Sequence, residues 1–132
     1  MPDRTELGPR SARLALEPVR LDPRGFAPLH LAGAWRLTSD DPRFGGISAL
    51  ALDGGSLLAL SDSGVLVRFA KLEGSTVSAA IRELPDGPGD PRFKSRRDSE
   101  AIVRDASGRG WWVAFENRNE LWLYDGGFAR PL

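Results

Sequence analysis

Apolar and polar positions alternate in short runs separated by glycine, proline and aspartate, and this pattern predicts strands rather than helices along the chain. Runs at 14–21 and 29–38 come first, and Pro18 inside the first marks it as an edge strand. Gly45-Gly46 precedes a clear strand at 47–52. Asp53-Gly54-Gly55 then signals a hairpin turn before 57–60. Ser61-Asp62-Ser63-Gly64 turns the chain into a strand at 65–72, and 76–84 closes the group. The alternation stops over 85–97, where three prolines, two glycines and the cations Arg92, Lys94, Arg96 and Arg97 form a loop of about a dozen residues, against the usual ~2–6. Strands at 99–104, 110–115 and 120–124 follow.

The two strand groups read as copies of one unit. Ser48-Ala49-Leu50-Ala51-Leu52-Asp53 lies over Glu100-Ala101-Ile102-Val103-Arg104-Asp105, and Leu57-Leu58-Ala59-Leu60-Ser61-Asp62 over Trp112-Val113-Ala114-Phe115-Glu116-Asn117. Leu66-Val67-Arg68-Phe69 then lies over Leu121-Trp122-Leu123-Tyr124. A repeat of about 50 residues with three or more short strands per copy is the signature of propeller blades. The expected fold is therefore all-β: a partial β-propeller of about two antiparallel blades, at 44–84 and 98–128, with a partial blade before them and a loop at 85–97, in one domain over 1–132. Closed propellers hold about four to eight blades. The count leaves three expectations: a piece of a longer protein, an assembly of several copies joined through exposed blade edges, or two units packed face to face as a small sandwich.

Composition narrows the function classes. The 132 residues, 41% of them hydrophobic, suffice for one domain with its own core. Eighteen basic and eighteen acidic side chains cancel, so no overall field gathers nucleic acid or a membrane surface. The chain has no cysteine, which removes disulfides, thiolate nucleophiles and cysteine-based zinc sites. No apolar run approaches the ~20 residues of a membrane span, and the opening residues lack the profile of a signal peptide.

The acids of the second unit carry the candidate chemistry. Glu100 stands over Ser48 at the start of one strand and Glu116 over Ser61 at the end of the next. Antiparallel pairing brings both to one end of the unit. Asp98, two residues before Glu100, falls on the same side if the strand extends that far. Asp62 is a fourth acid from the preceding unit. Carboxylates gathered at one rim need a cation or an arginine among them, and hard oxygen donors without histidine or cysteine suit Ca2+ or Mg2+. Arg96 and Arg97, in the loop leading to these acids, are candidates for holding an anionic substrate. Strand ends also carry charges routinely, so acids that are merely solvated or paired with Arg96, Arg97 or Arg118 are the competing explanation.

Other chemistries fare worse. His30 is the only histidine and no Gly-x-Ser-x-Gly elbow exists, so a serine nucleophile lacks its partners. The glycine pairs match no nucleotide-binding spacing. Trp111 and Trp112 are adjacent in a strand and must point to opposite faces, so at least one belongs in the core.

Phe44-Gly45-Gly46-Ile47-Ser48-Ala49-Leu50, Leu58-Ala59-Leu60-Ser61-Asp62, Arg97-Asp98-Ser99-Glu100-Ala101 and Trp112-Val113-Ala114-Phe115-Glu116 together resemble, in order and spacing, the phytase-like family with esterase-like activity. The resemblance covers about residues 12–128. It implies an exported β-propeller, periplasmic or secreted, with an acid-lined site that binds calcium and hydrolyses a small-molecule phosphoester or other ester. Asp62, Asp98, Glu100 and Glu116 map to that site as metal ligands, with Glu100 and Glu116 as the catalytic pair. A non-catalytic propeller that grips a partner through the 85–97 loop is the competing class.

Overall fold

The computed structural model describes residues 10–89 and 97–132. Among the described residues there are nine strands: β1 (Arg10–Pro18), β2 (Trp35–Ser39), β3 (Ile47–Asp53), β4 (Ser56–Ser61), β5 (Val65–Phe69), β6 (Thr76–Glu83), β7 (Ser99–Arg104), β8 (Gly110–Phe115) and β9 (Glu120–Asp125). They form two antiparallel sheets, ordered β2-β1-β6-β5-β4-β3 and β7-β8-β9. The only other regular element among the described residues is a 3-10 turn, Pro23–Phe26, capped by the Asp22 side chain. No described helix is long and apolar enough to cross a membrane. The fold is all-β and has the form of a partial propeller.

The N-terminal strands differ from their expected extents. β1 begins at Arg10 rather than at 14, because Arg10 to Ala15 pair with β6 from Ile81 back to Thr76. The run at 29–38 contributes only its last residues to β2, which pairs with β1. The pair also forms no separate blade. It extends the outer edge of the first unit, so the six strands curl like half a barrel.

That curl has a core of its own. Leu14, Ala59, Val65, Val67, Phe69, Ala79 and Ile81 are buried on the concave face, with Leu37 and Phe44 packed against them. The opposite face of β4 and β5 presents Leu58, Leu60 and Leu66 to the second sheet, where Trp111, Val113, Phe115, Tyr124 and Phe128 complete a second core. Trp111 is 1% exposed and stacks on Phe128 at 6.1 Å, whereas Trp112 is half-buried on the other face. The opposed orientation expected of adjacent strand residues is thus what the sheet shows.

A buried ion cluster fixes the entry into β3. Asp41 accepts hydrogen bonds from Arg43 N (2.9 Å), Arg43 Nη2 (3.1 Å) and Arg10 Nε (2.9 Å). Both Asp41 and Arg43 are buried. Desolvation opposes ionisation of Asp41, but the hydrogen bonds from Arg43 and Arg10 outweigh it and hold the carboxyl well below the usual carboxylate range. The turn after β2 is thereby tied to the start of β1.

The two sheets meet through their inner strands, with β7 lying against β3 and β4. The Ser48 hydroxyl donates to Ser99 O at 2.7 Å, and the Ser99 hydroxyl donates to Ser61 O at 2.6 Å. Asp53 reaches across to Arg104 while also binding Arg68 at 2.6 Å. These contacts decide how the acids of one sheet stand relative to those of the other.

Candidate metal centre

Both hairpins carry a β-bulge at the same relative place. The β3–β4 ladder slips between Ile47 and Ala49, and the β7–β8 ladder between Ser99 and Ala101. The extra residues are Ser48 and Glu100. A bulge leaves its extra residue out of the ladder and re-aims its side chain, a common device beside functional sites. In the first sheet it turns Ser48 to the neighbouring sheet. In the second it delivers Glu100 to the rim.

Ladder register corrects the alignment of the middle strands by one residue. Ala49 pairs with Leu60 and Ala101 with Ala114, so Leu60 corresponds to Ala114 rather than to Phe115. Glu116 therefore corresponds to Asp62, not to Ser61. The backbone agrees: Asp62 N donates to Gly46 O (2.8 Å) and Glu116 N to Asp98 O (2.9 Å). Two turns of unequal length separate the strands, and matching apolar residues alone placed the difference one position away. Where the first hairpin has Gly46, Ser48 and Asp62, the second has Asp98, Glu100 and Glu116.

The expected triad comes together. Carboxylate oxygens of Asp98, Glu100 and Glu116 all lie within 4.8 Å of one another, with Asp98 half-buried and the two glutamates exposed. The reason differs from the one expected, since strand alternation does not reach Asp98. The bulge at Glu100 and the Glu116 N to Asp98 O hydrogen bond bring the three together instead. Desolvation, a hydrogen bond shared with Asp98, and repulsion from Asp98, Glu116 and Asp62 raise the Glu100 carboxyl above its ordinary range. Asp62 thus feels the same rim from the neighbouring sheet, although it stands outside the triad.

Two supporting residues escaped the sequence reading. Asn117 donates from Nδ2 to Asp98 Oδ2 at 3.0 Å, orienting that carboxylate. Gly46 adopts φ +59°, and a Cβ built there would lie 2.6 Å from Asp62 Oδ1. Asp62 therefore occupies space that only glycine leaves free. A Gly-Gly pair reads as a turn, and nothing in the sequence says that a carboxylate rests on it.

Arg96 lies outside the described residues. Arg97 is 4% exposed, and its Nε donates to Pro88 O at 3.2 Å. It packs against Gly64 and Gly87 and stands near the buried Tyr124, whose hydroxyl donates to Asp86 O at 2.5 Å. This accounts for Arg97 as the fastener of 85–89 onto the second core. His30, in the segment before β2, is exposed.

A phytase-like family model, described as esterase-like activity of phytase, matches residues 42–132. The chain belongs to that phytase-like family. The matched span includes both hairpins and all four acids. Comparison with curated proteins and with solved structures gave no match.

Proposed function

We propose that the rim formed by Asp98, Glu100 and Glu116 binds a divalent cation, Ca2+ in preference to softer metals, and serves the hydrolysis of a small-molecule ester or phosphoester. The observation that carries this reading is the convergence of three carboxylates within 4.8 Å at one rim, in a chain of a hydrolase-like propeller family. The donors are all hard oxygens, and no nitrogen or sulfur ligand accompanies them in the cluster, which suits calcium or magnesium. A bound cation would supply charge to polarise the ester oxygen and to acidify a water.

The residues themselves have separable tasks. Asn117 donates to one oxygen of Asp98 and so orients that carboxylate at the rim. Glu100 retains a proton to higher pH than an ordinary glutamate, so a cation has to displace that proton in order to bind at the rim. Glu116 stands at the end of β8 beside both. Asp62 adds negative charge from the adjoining sheet. Arg96 would steady an anionic substrate. Family membership supports an exported, periplasmic or secreted protein, to be checked by fractionating the source cells.

Hydrolysis of p-nitrophenyl acetate and p-nitrophenyl phosphate, with calcium and with a chelator, tests the reading. Calcium-dependent turnover lost in Glu100→Gln and Glu116→Gln supports it. Turnover indifferent to chelator and to both substitutions sinks it. Calcium binding without turnover of any ester would instead leave a non-catalytic binding module.

A further inference from the structure

A cleft of about 330 Å³ opens where the turn after β9 meets β4, β5, β6 and β1 of the first sheet. Leu58, Leu66 and Phe128 line it, together with Arg10, Arg68 and Arg82. None of its lining residues is acidic, and none belongs to the rim. The ladders explain how the charges gather. Leu66 pairs with Arg82 and Arg68 with Ala80, so Arg68 and Arg82 fall on one face of adjacent strands as diagonal neighbours.

The acids that hold these arginines lie outside the cleft and are shared. Asp53 accepts from Arg68 Nη1 at 2.6 Å and also binds Arg104. Asp41 accepts from Arg10 Nε at 2.9 Å and also from the buried Arg43. Arg82 is half-buried and donates from Nε to Glu83 O at 3.4 Å, with no ion pair among the described residues. A guanidinium carries several N–H donors, so all three arginines keep some for a further acceptor. Positive charge in a hollow without a lining carboxylate draws an anion, and the planar fork of arginine matches phosphate oxygens.

We infer that this cleft binds a small organic anion, a phosphate monoester carrying an aromatic or alkyl group. Its phosphate meets Arg68 and Arg82, and its apolar part lies against Leu58, Leu66 and Phe128. Phosphate is favoured over a carboxylate because its double charge answers more than one guanidinium. The volume stands near the lower end of the ~300–1,000 Å³ of small-molecule sites, which sets the size of the ligand. An apolar stretch of polypeptide in the same hollow would strip water from the guanidinia without supplying opposite charge, a desolvation that only an anion offsets. The cleft shares no residue with the rim, so this inference does not depend on the cation reading.

Calorimetric titration of phenyl phosphate into the chain in calcium-free, low-salt buffer tests it, with circular dichroism reporting that each variant is folded. The wild type should bind phenyl phosphate saturably and more tightly than inorganic phosphate. Arg82→Gln should weaken that binding about tenfold or more, the loss of a charge-assisted hydrogen bond. Glu100→Gln should leave it unchanged. Should Arg82→Gln unfold, Arg82→Lys carries the test, because it keeps the charge, loses the fork and should weaken binding several-fold. Absence of saturable binding by the wild type overturns the inference. So does equal affinity for phenyl phosphate and inorganic phosphate, an affinity that the Arg82 substitutions leave unmoved, or binding lost in Glu100→Gln, which would put the phosphate at the rim.

Discussion

The Ser99 hydroxyl donates to the carbonyl oxygen of Ser61 across 2.6 Å, joining two residues that immediately precede acids of the candidate site on different sheets. Ser61 precedes Asp62, and Ser99 precedes Glu100. Both serines are buried, so the bond is made away from water and its loss leaves a buried carbonyl without that donor. Ser99→Ala should cost about 1–3 kcal/mol in chemical denaturation. It should also weaken calcium binding, because the spacing of Asp62 from Glu100 depends on it. Unchanged stability and unchanged affinity together would remove Ser99 from the account.

Gly46→Ala offers a test of how the first sheet shapes the rim. The substitution places a side chain at φ +59° and against Asp62 Oδ1. The left-handed conformation costs an L-residue about 1–2 kcal/mol, and the displaced carboxylate adds to it. The midpoint of denaturation should fall accordingly. The ladders of the second sheet should keep their amide-exchange protection, since the strain is confined to the first hairpin.

The rim should make stability depend on pH in a particular direction. Glu100 has a raised folded-state carboxyl, so the folded state binds this proton more tightly than the unfolded state. Its stabilising contribution is present at low pH, below the unfolded value, and is lost as pH rises through the folded value. At neutral pH without cation, Glu100→Gln should therefore raise Tm. At acid pH, where wild-type Glu100 is itself protonated, the difference should vanish. A Tm lowered by Glu100→Gln at neutral pH in chelator would contradict the repulsion inferred at the rim.

Asp41 should behave in the opposite sense. Its folded carboxyl is depressed, so its contribution is present above the unfolded value near 3.8 and is lost as pH falls towards the folded one. Asp41→Asn removes the carboxylate paired with the buried Arg43 guanidinium, a loss of about 3–5 kcal/mol by comparison with other broken buried pairs. Thermal melts across acid pH should show the wild type losing stability while the variant, already lowered, changes less. A variant as stable as wild type at neutral pH would show that the cluster contributes no net stability.

Much of the β framework could be read from the sequence because its signals are local. Asp53-Gly54-Gly55 and the flanking alternation locate the β3–β4 hairpin, and the second sheet follows the same pattern at 99–124. The N-terminal strands were harder. Arg10-Ser11-Ala12-Arg13 has little apolar content, and its strand state comes from pairing with β6, a partner some 65 positions away. The triad was legible as a set of residues at one strand end, but its register was not. Bulges at Ser48 and Glu100 leave the apolar alternation of the flanking segments intact, so nothing in the local pattern marks them. Asn117 and Gly46 went unnoticed for a related reason: each acts through one contact, to Asp98 and to Asp62, that exists only when the hairpin ends are side by side.

Calorimetric titration of calcium into the chelator-stripped chain, alongside Glu100→Gln and Glu116→Gln, tests the central claim most directly. One saturable site in the wild type, weakening as pH falls because Glu100 must lose its proton, and lost in both variants, is the expected result. No binding by the wild type, or equal binding by all three proteins, would mean that the acids at this rim are not a metal site.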